Sequence, residues 1–240
     1  MARTFTMRLA DLVVEVTTIH DETHRLCQEY LVDGGGRPDI VVATNQSSID
    51  FERAQDKQGD FGDPYYETLA VHRAIAEQLP LFGGLLMHGS AVAIGQRAWL
   101  FTAPSGTGKS THTRWWRREF ADLGAYMVND DKPIVRFVRD DAWIYGAPWD
   151  GKERLSTNTC ARLAGIGMLE RGDDDLVERA SARDSLVTLM GQAYRPTSAD
   201  AARATLGLLH RLADGVPLFR VRATDSAHAA HVAYAAMGGL

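Results

Sequence analysis

The chain has 240 residues, 45% of them hydrophobic, with a formal net charge of −5 and two cysteines. That length suits one large domain or a domain with a small appendage, and the apolar content is ample for a core. The acidic balance, with no basic block and no Lys/Arg patch interleaved with aromatic residues, argues against nucleic acid as the main partner.

No apolar run is long enough to span a bilayer, and residues 1–14 lack the continuous apolar segment of a secretion signal. The expectation is therefore a cytoplasmic protein with no membrane partner. Cys27 and Cys160 lie far apart without metal-ligand spacing and read as reduced thiols packed as small apolar groups.

Along the chain, residues 5–9, 12–17 and 40–43 read as short strands separated by polar turns such as Asp33 to Pro38. From about Tyr65 the period changes. Leu69, Val71, Ala74, Ile75 and Leu79 fall on one face of a helix that stops before Pro80. The pattern predicts a small β-rich N-terminal lobe ending in a helix over residues 1–84, and an α/β domain over 85–240. The lobe shows no cluster that suggests chemistry, so structural support is its expected role.

Residues 89–94 and 98–102 are two strands joined by Gly95-Gln96-Arg97, a tight hairpin. It feeds directly into Ala103-Pro104-Ser105-Gly106-Thr107-Gly108-Lys109-Ser110-Thr111, after which Trp115, Trp116, Phe120 and Leu123 keep helical spacing until Gly124. Strand, glycine-rich loop and helix in this order make a phosphate-binding loop. Small residues let backbone N–H groups converge on an anion, and the helix adds the positive end of its dipole. Lys109 reaches the β/γ-phosphates and Ser110 offers a hydroxyl to Mg²⁺. Where the usual pattern opens with glycine this chain has Ala103, still small, while Gly106 adds a flexible point inside the loop. The expected ligands are ATP and Mg²⁺, bound by Ser105, Gly106, Thr107, Gly108, Lys109, Ser110 and Thr111. Most such loops follow a strand reached by a long crossover, whereas a hairpin entry implies a mixed sheet.

Residues 125–128 form a buried-strand pattern that delivers Asn129-Asp130-Asp131 at its end. Phosphoryl transfer to a hydroxyl needs a carboxylate for the metal, a proton acceptor and nearby cations. Asp130 and Asp131 suit the first two tasks, with Asp130 assigned to the metal beside Ser110 and Asp131 to the proton. Neighbouring strand residues point to opposite faces, so a local turn must bring both to one site. His88, at the end of an apolar run before the hairpin, is a further candidate beside the reading of a histidine satisfied by a backbone carbonyl. Lys152 and Arg154, in a loop between glycine and aromatic residues, could close over phosphate or be ordinary surface charges, and Lys132 likewise could serve phosphate or pair locally. Trp115 and Trp116 read as packing residues.

Further on, residues 164–169 look like a strand, and Asp173, Asp174 and Asp175 like a solvated turn whose spacing is not that of a calcium loop. Two helices follow, marked by Leu186, Leu189 and Met190 and then by Leu206, Leu208, Leu209 and Leu212, with Arg195 between them as a surface arginine. Residues 217–221 form a late strand, and Thr224-Asp225 is the expected cap of an alanine-rich last helix.

Taken together, Met87-His88-Gly89, the hairpin, Ser105-Gly106-Thr107-Gly108-Lys109-Ser110 and Asn129-Asp130-Asp131 resemble the catalytic domain of HPr kinase/phosphorylase, strongly over residues 85–138. The loop is also similar to that of ATP-dependent phosphoenolpyruvate carboxykinase, which shares that fold core. The resemblance implies an α/β domain with a mixed sheet, ATP and Mg²⁺, both aspartates at one site, His88 near it, and transfer of the γ-phosphoryl group to a hydroxyl. Carboxykinase activity is not expected, because 240 residues leave little room for a carboxylate-substrate site and a second metal. Residues 145–154 stand where the kinase carries a glycine- and asparagine-rich signature followed by arginine, so the resemblance extends neither to HPr as acceptor nor to the reverse phosphorolysis. Relatives of this domain include kinases that modify peptides. A peptide or protein serine is the first expectation for the acceptor and a sugar or other small alcohol the second. A module that senses ATP without transferring phosphate is the non-enzymatic alternative, and homo-oligomerisation stays open.

Overall fold

The computed structural model describes residues 2–34, 36–57, 59 and 61–238. The chain divides into two compact units, Met1–Leu79 and Pro80–Leu240.

In the first unit, β1 (Arg3–Leu9) and β2 (Leu12–Thr18) form an antiparallel hairpin. Met7, Leu9, Val14 and Val16 turn to one buried face, as the period-2 alternation requires. After the short α1 (Glu22–Leu26), β3 (Ile40–Ala43) pairs parallel to β2. Of the expected turn before it, Gly35 lies outside the described residues. The lobe also holds a helix that hydrophobic periodicity did not reveal, α2 (Gln46–Gln55), because Ile49 is the one apolar side chain it buries. Its start is written in a capping box: Asn45 Oδ1 accepts from the Ser48 N–H at 3.0 Å while Ser48 Oγ accepts from the Asn45 N–H at 3.1 Å. The expected helix is α3 (Asp63–Gln78). Its buried Glu67 accepts from the backbone N–H groups of Ile19 (2.6 Å) and His20 (2.8 Å) and from Thr44 Oγ1 (2.5 Å), which satisfies the carboxylate and ties the ends of β2 and β3 to the helix.

The second unit is built on a nine-stranded mixed sheet. Its strands are β4 (Gly84–Leu86), β5 (Ser90–Ile94), β6 (Arg97–Thr102), β7 (Ala125–Asn129), β8 (Ile134–Val138), β9 (Asp141–Tyr145), β10 (Cys160–Arg171), β11 (Leu176–Arg179) and β12 (Leu218–Ala223). Spatially they run β4-β8-β9-β10-β6-β5-β7, with β12 lying along the second half of β10 and β11 beyond it. β6 is parallel to β10 but antiparallel to β5, as the hairpin entry implied. Central β6 is apolar throughout because both its faces are covered. Ala98 and Leu100 pack with Leu189, Leu209 and Leu212 of α5 (Ala182–Gln192) and α6 (Ala199–Gly215). Trp99 and Phe101 pack on the other face with Trp116 and Phe120 from α4 (Lys109–Glu119) and its end, and with Ala230 and Ala233 of α7 (Ala227–Ala236).

Two sequence expectations are corrected here. Asp175 is not a solvated turn residue: its side chain is 6% exposed and accepts from the Thr224 N–H (2.7 Å) and hydroxyl (2.8 Å) and pairs with His228 (2.7 Å). Thr224 is thereby committed to Asp175, and Ser226 rather than Thr224-Asp225 caps α7, its hydroxyl accepting from the Ala229 N–H. Among the described residues no helix is long and apolar enough to cross a membrane, and both cysteines are free.

Candidate active site

Three strand ends meet because two consecutive pairings are antiparallel. β6 ends at Thr102 and runs into the glycine-rich loop. β5 runs the other way, so its beginning lies beside that end, with Ser90 opposite Phe101, and the Thr102 hydroxyl donates to the His88 carbonyl at 2.7 Å. β7 reverses direction again, so its last residue, Asn129, lies opposite Ala91, and the Gly89 N–H donates to the Asp131 carbonyl at 3.0 Å. The hairpin that looked unusual in sequence is what sets His88 and the aspartates beside the loop.

In the loop, Gly106 (φ 80°) and Gly108 (φ 115°) adopt backbone angles that a side chain would strain. Gly108 begins α4 with no side-chain cap, so the first-turn N–H groups are left for a partner beyond the helix. The Thr107 hydroxyl donates to the Pro104 carbonyl at 2.9 Å. Lys109 is buried and folds back, donating from Nζ to the carbonyls of Ala103 (2.9 Å) and Pro104 (3.3 Å). Burial pulls its pKa down, Asp131 pushes it up, and Lys132 adds to the lowering. Ser105 is exposed, while Ser110 and Thr111 are half-buried at the start of α4. Arg171, at the end of β10, braces the loop from outside by donating to the carbonyls of Thr107 (3.0 Å) and Gly106 (2.5 Å).

Opposite stands a carboxylate cluster ordered by Asn129. Its fully buried side chain accepts from the N–H groups of Asp131 (2.9 Å) and Lys132 (2.6 Å), and donates to the carbonyls of Ala147 (3.1 Å) and Trp149 (3.0 Å). This is the local turn that the adjacent aspartates required. Asp130 is buried, and its Oδ1 accepts from the Gly151 N–H at 2.6 Å. Asp131 is more open, with Oδ1 3.4 Å from His88 Nε2 and Oδ2 3.6 Å from Lys132 Nζ. His88 Nδ1 lies 3.0 Å from Gln192 Oε1, at the end of α5. With that oxygen as acceptor, Nδ1 carries the hydrogen and Nε2 turns a lone pair toward Asp131, an arrangement with room for one shared proton. Burial lowers the His88 pKa, helped by Lys132 and Lys109 and opposed by Asp131 and Gln192. Asp150 joins the cluster: burial, then Asp130 and Asp131, raise its pKa against the pull of Arg154. Of the two loop cations expected from sequence, Arg154 is exposed and acts on Asp150 through its charge. Lys152 is also exposed, and among the described residues no ion pair or hydrogen bond joins it to the aspartates.

On the other side of the loop a cavity of about 380 Å³ is walled by Thr107, Gly108, Thr111, Arg171 and the Ala223–Asp225 segment. His112, 3% exposed, lines it. The indole N–H of Trp116 donates to His112 Nε2 at 3.1 Å, and Nδ1 has no partner among the described residues. Burial drives the His112 pKa down to about 4, with Asp175 opposing.

Ser110, Asp130 and Asp131 each carry only oxygen donors, the atom type a hard cation such as Mg²⁺ prefers. No group of three His, Cys, Asp or Glu side chains forms a cage among the described residues. Sequence reasoning passed over Asp150, Gln192, Arg171 and His112. Only Asn129 carried a readable signal, as a turn-forming residue directly before two carboxylates.

No family model and no curated protein matches the chain. Among solved structures it is similar to the Hpr(Ser) kinase/phosphatase from Coxiella burnetii, at 15% sequence identity over 53% of this chain and 96% of that one, with a TM-score of 0.30. A likeness of that degree transfers no residue roles, and the function proposed below rests on this chain's own loop and cluster.

Proposed function

We propose that the chain is an ATP-dependent kinase that moves the γ-phosphoryl group to a hydroxyl acceptor, a serine-like hydroxyl of a peptide or protein, in the cytoplasm. The observation that carries this reading is the His88–Asp131–Lys132 cluster held beside Lys109 by three converging strand ends. Binding of ATP alone does not call for a carboxylate–imidazole pair with room for a proton, whereas an attacking hydroxyl must lose one.

In this reading the first-turn N–H groups of α4 cradle the phosphates, and Lys109 swings from the loop carbonyls to the β/γ-oxygens. Ser110 and Asp130 would hold Mg²⁺, which supplies charge neutralisation across the β- and γ-phosphates. The hydrogen bond from Gly151 fixes Asp130 for that task. The acceptor oxygen forms its bond to the γ-phosphorus as the bond to the β-phosphate oxygen breaks and ADP leaves with that electron pair. Asp131 takes the hydroxyl proton, and His88 is placed to share it. Lys132 balances the charge that develops.

The test uses ATP labelled at the γ-position, with serine-containing peptides and small alcohols as acceptors. Transfer should require Lys109, with Lys109→Met abolishing Mg·ATP binding or turnover in a folded protein. Asp131→Asn should lower turnover about 10²- to 10⁴-fold with little change in ATP affinity. A parent protein that binds ATP and transfers phosphate to no acceptor would overturn the kinase reading and leave a nucleotide sensor.

A further inference from the structure

A segment that reads Gly106-Thr107-Gly108 has little preference of its own for where its peptide groups point, because glycine takes both signs of φ readily and loses the most freedom when fixed. Something outside the loop must hold it, and the sheet supplies Arg171. β10 runs parallel to β6 with Met168 opposite Thr102, the last residue of β6. Leu169, Glu170 and Arg171 therefore carry β10 past that strand end and alongside the loop. Pairing with β12 holds this extension in the sheet as far as Arg171, which stands opposite Ala223.

The contacts fall on two successive peptide planes. Arg171 Nε donates to the Thr107 carbonyl at 3.0 Å and Nη2 to the Gly106 carbonyl at 2.5 Å. In a trans peptide the carbonyl and the N–H of the next residue point in opposite directions, and no described peptide bond is cis. Drawing these two oxygens outward therefore turns the N–H groups of Thr107 and Gly108 inward. The first meets the Pro104 carbonyl at 3.4 Å. The second has no acceptor among the described residues, and it lies directly before the first turn of α4. Lys109 holds a different pair of carbonyls, those of Ala103 and Pro104, and in the reading above it leaves them for the phosphates. Arg171 has no such exchange to make.

We infer that Arg171 is a positioning residue for the phosphate chain: from outside the loop it aims the Gly108 N–H at a phosphate oxygen and keeps it aimed once Lys109 has moved. The inference rests on the nucleotide reading above and adds what makes its loop ready for the anion. Stability is a poor explanation for the tie, since Arg171 is exposed and water competes for its donors. A guanidinium suits the task, because its planar fork meets two neighbouring carbonyls at once in a fixed geometry.

Calorimetric titration of the full chain with ATP and with inorganic tripolyphosphate, each with Mg²⁺, tests it. The comparison is between the parent and Arg171→Met, which keeps an unbranched side chain and removes the donors. Arg171→Met should weaken both ligands alike, about tenfold, because the part affected is common to them. Weakening of ATP alone would mean that Arg171 touches the nucleoside, and unchanged affinity for both that the loop holds itself; either overturns the inference and leaves the nucleotide reading in place. A parent that binds neither ligand sinks that reading and the inference with it. Nitrogen NMR with glycine labelled separates aiming from general support. The Gly108 amide proton should move downfield when tripolyphosphate binds to the parent and move much less in Arg171→Met at saturating ligand, and an equal movement refutes the aiming. Should Arg171→Met fail to fold, the parent labelled in arginine decides. The Arg171 Nε–H resonance should hold its place when tripolyphosphate binds, whereas its loss or displacement would show the tie released and overturn the inference.

Discussion

Acid should unfold this protein partly through His112. Folded, its pKa is about 4 because burial disfavours the imidazolium; unfolded, it returns to the ordinary 6.5. Between these values the unfolded chain binds the proton and the folded one does not, so stability falls as pH drops below 6.5 and the loss is complete below 4. At pH 5 the two pKa values correspond to a loss of about 2 kcal/mol relative to pH 7. His112→Phe removes the titrating group, though it leaves the buried Trp116 N–H unpaired, a cost of about 1–3 kcal/mol at every pH. The informative quantity is therefore the change with pH rather than the stability itself. Urea unfolding of both proteins at pH 7 and pH 5 supplies it: the parent should lose about 2 kcal/mol more than His112→Phe over that interval. Equal losses would refute the argument, since they would show that His112 is solvated enough to titrate normally in the folded protein.

The loop over the aspartates gives a second expectation: a Cβ at Gly151 would lie 2.8 Å from Asp130 Oδ2 and force that buried carboxylate to move. Gly151→Ala should cost about 1.5–3 kcal/mol through the weakened charge-assisted hydrogen bond and raise the Mg²⁺ concentration needed for ATP binding, both read by titration. Gln192→Met removes the acceptor that orients His88, so kcat should fall about tenfold with the KM for ATP unchanged, and Gln192→Glu, which keeps an acceptor oxygen, should recover most of the loss. Asp175→Ala strands the Thr224 N–H and should destabilise by about 2–3 kcal/mol in denaturant unfolding at neutral pH. Burial works against the Asp175 charge, but the Thr224 N–H, His228 and the Thr224 hydroxyl outweigh it and hold its pKa below the ordinary carboxylate value. The penalty in Asp175→Ala should therefore persist until pH drops below that ordinary value and then shrink.

What the sequence made legible were the parts whose signals are local. The hairpin, the glycine-rich loop and the helix after it all lie within residues 89–119, and the continuous apolar run of β6 and the glycines at 106 and 108 are sufficient to place them. β8 and β9 escaped notice because Arg136 interrupts the first and Arg139, Asp140 and Asp141 follow directly at the join, which reads as a polar turn. At the site, Asp130, Asp131 and His88 could be singled out as residue types. Which of them meet could not, because Gln192 lies 104 residues from His88 and Arg171 lies 64 from Thr107. Such pairings depend on β10 and the helices packing as they do, and no spacing encodes them. Asp175 was misread for the same reason, its partners standing some fifty residues later in the chain.

The distance between those partners also orders events during synthesis. The glycine-rich loop leaves the ribosome well before the glutamine that steadies His88, and before the Thr224–Asp225 segment that closes the cavity beside the loop. β10 is made without β12, its parallel neighbour along the second half of its length. A nascent chain can thus expose the loop while it lacks both the wall of the cavity and the support for His88. The wall of that cavity is complete only once β12 and the segment after it have been made, so the surroundings of the loop are assembled long after the loop itself.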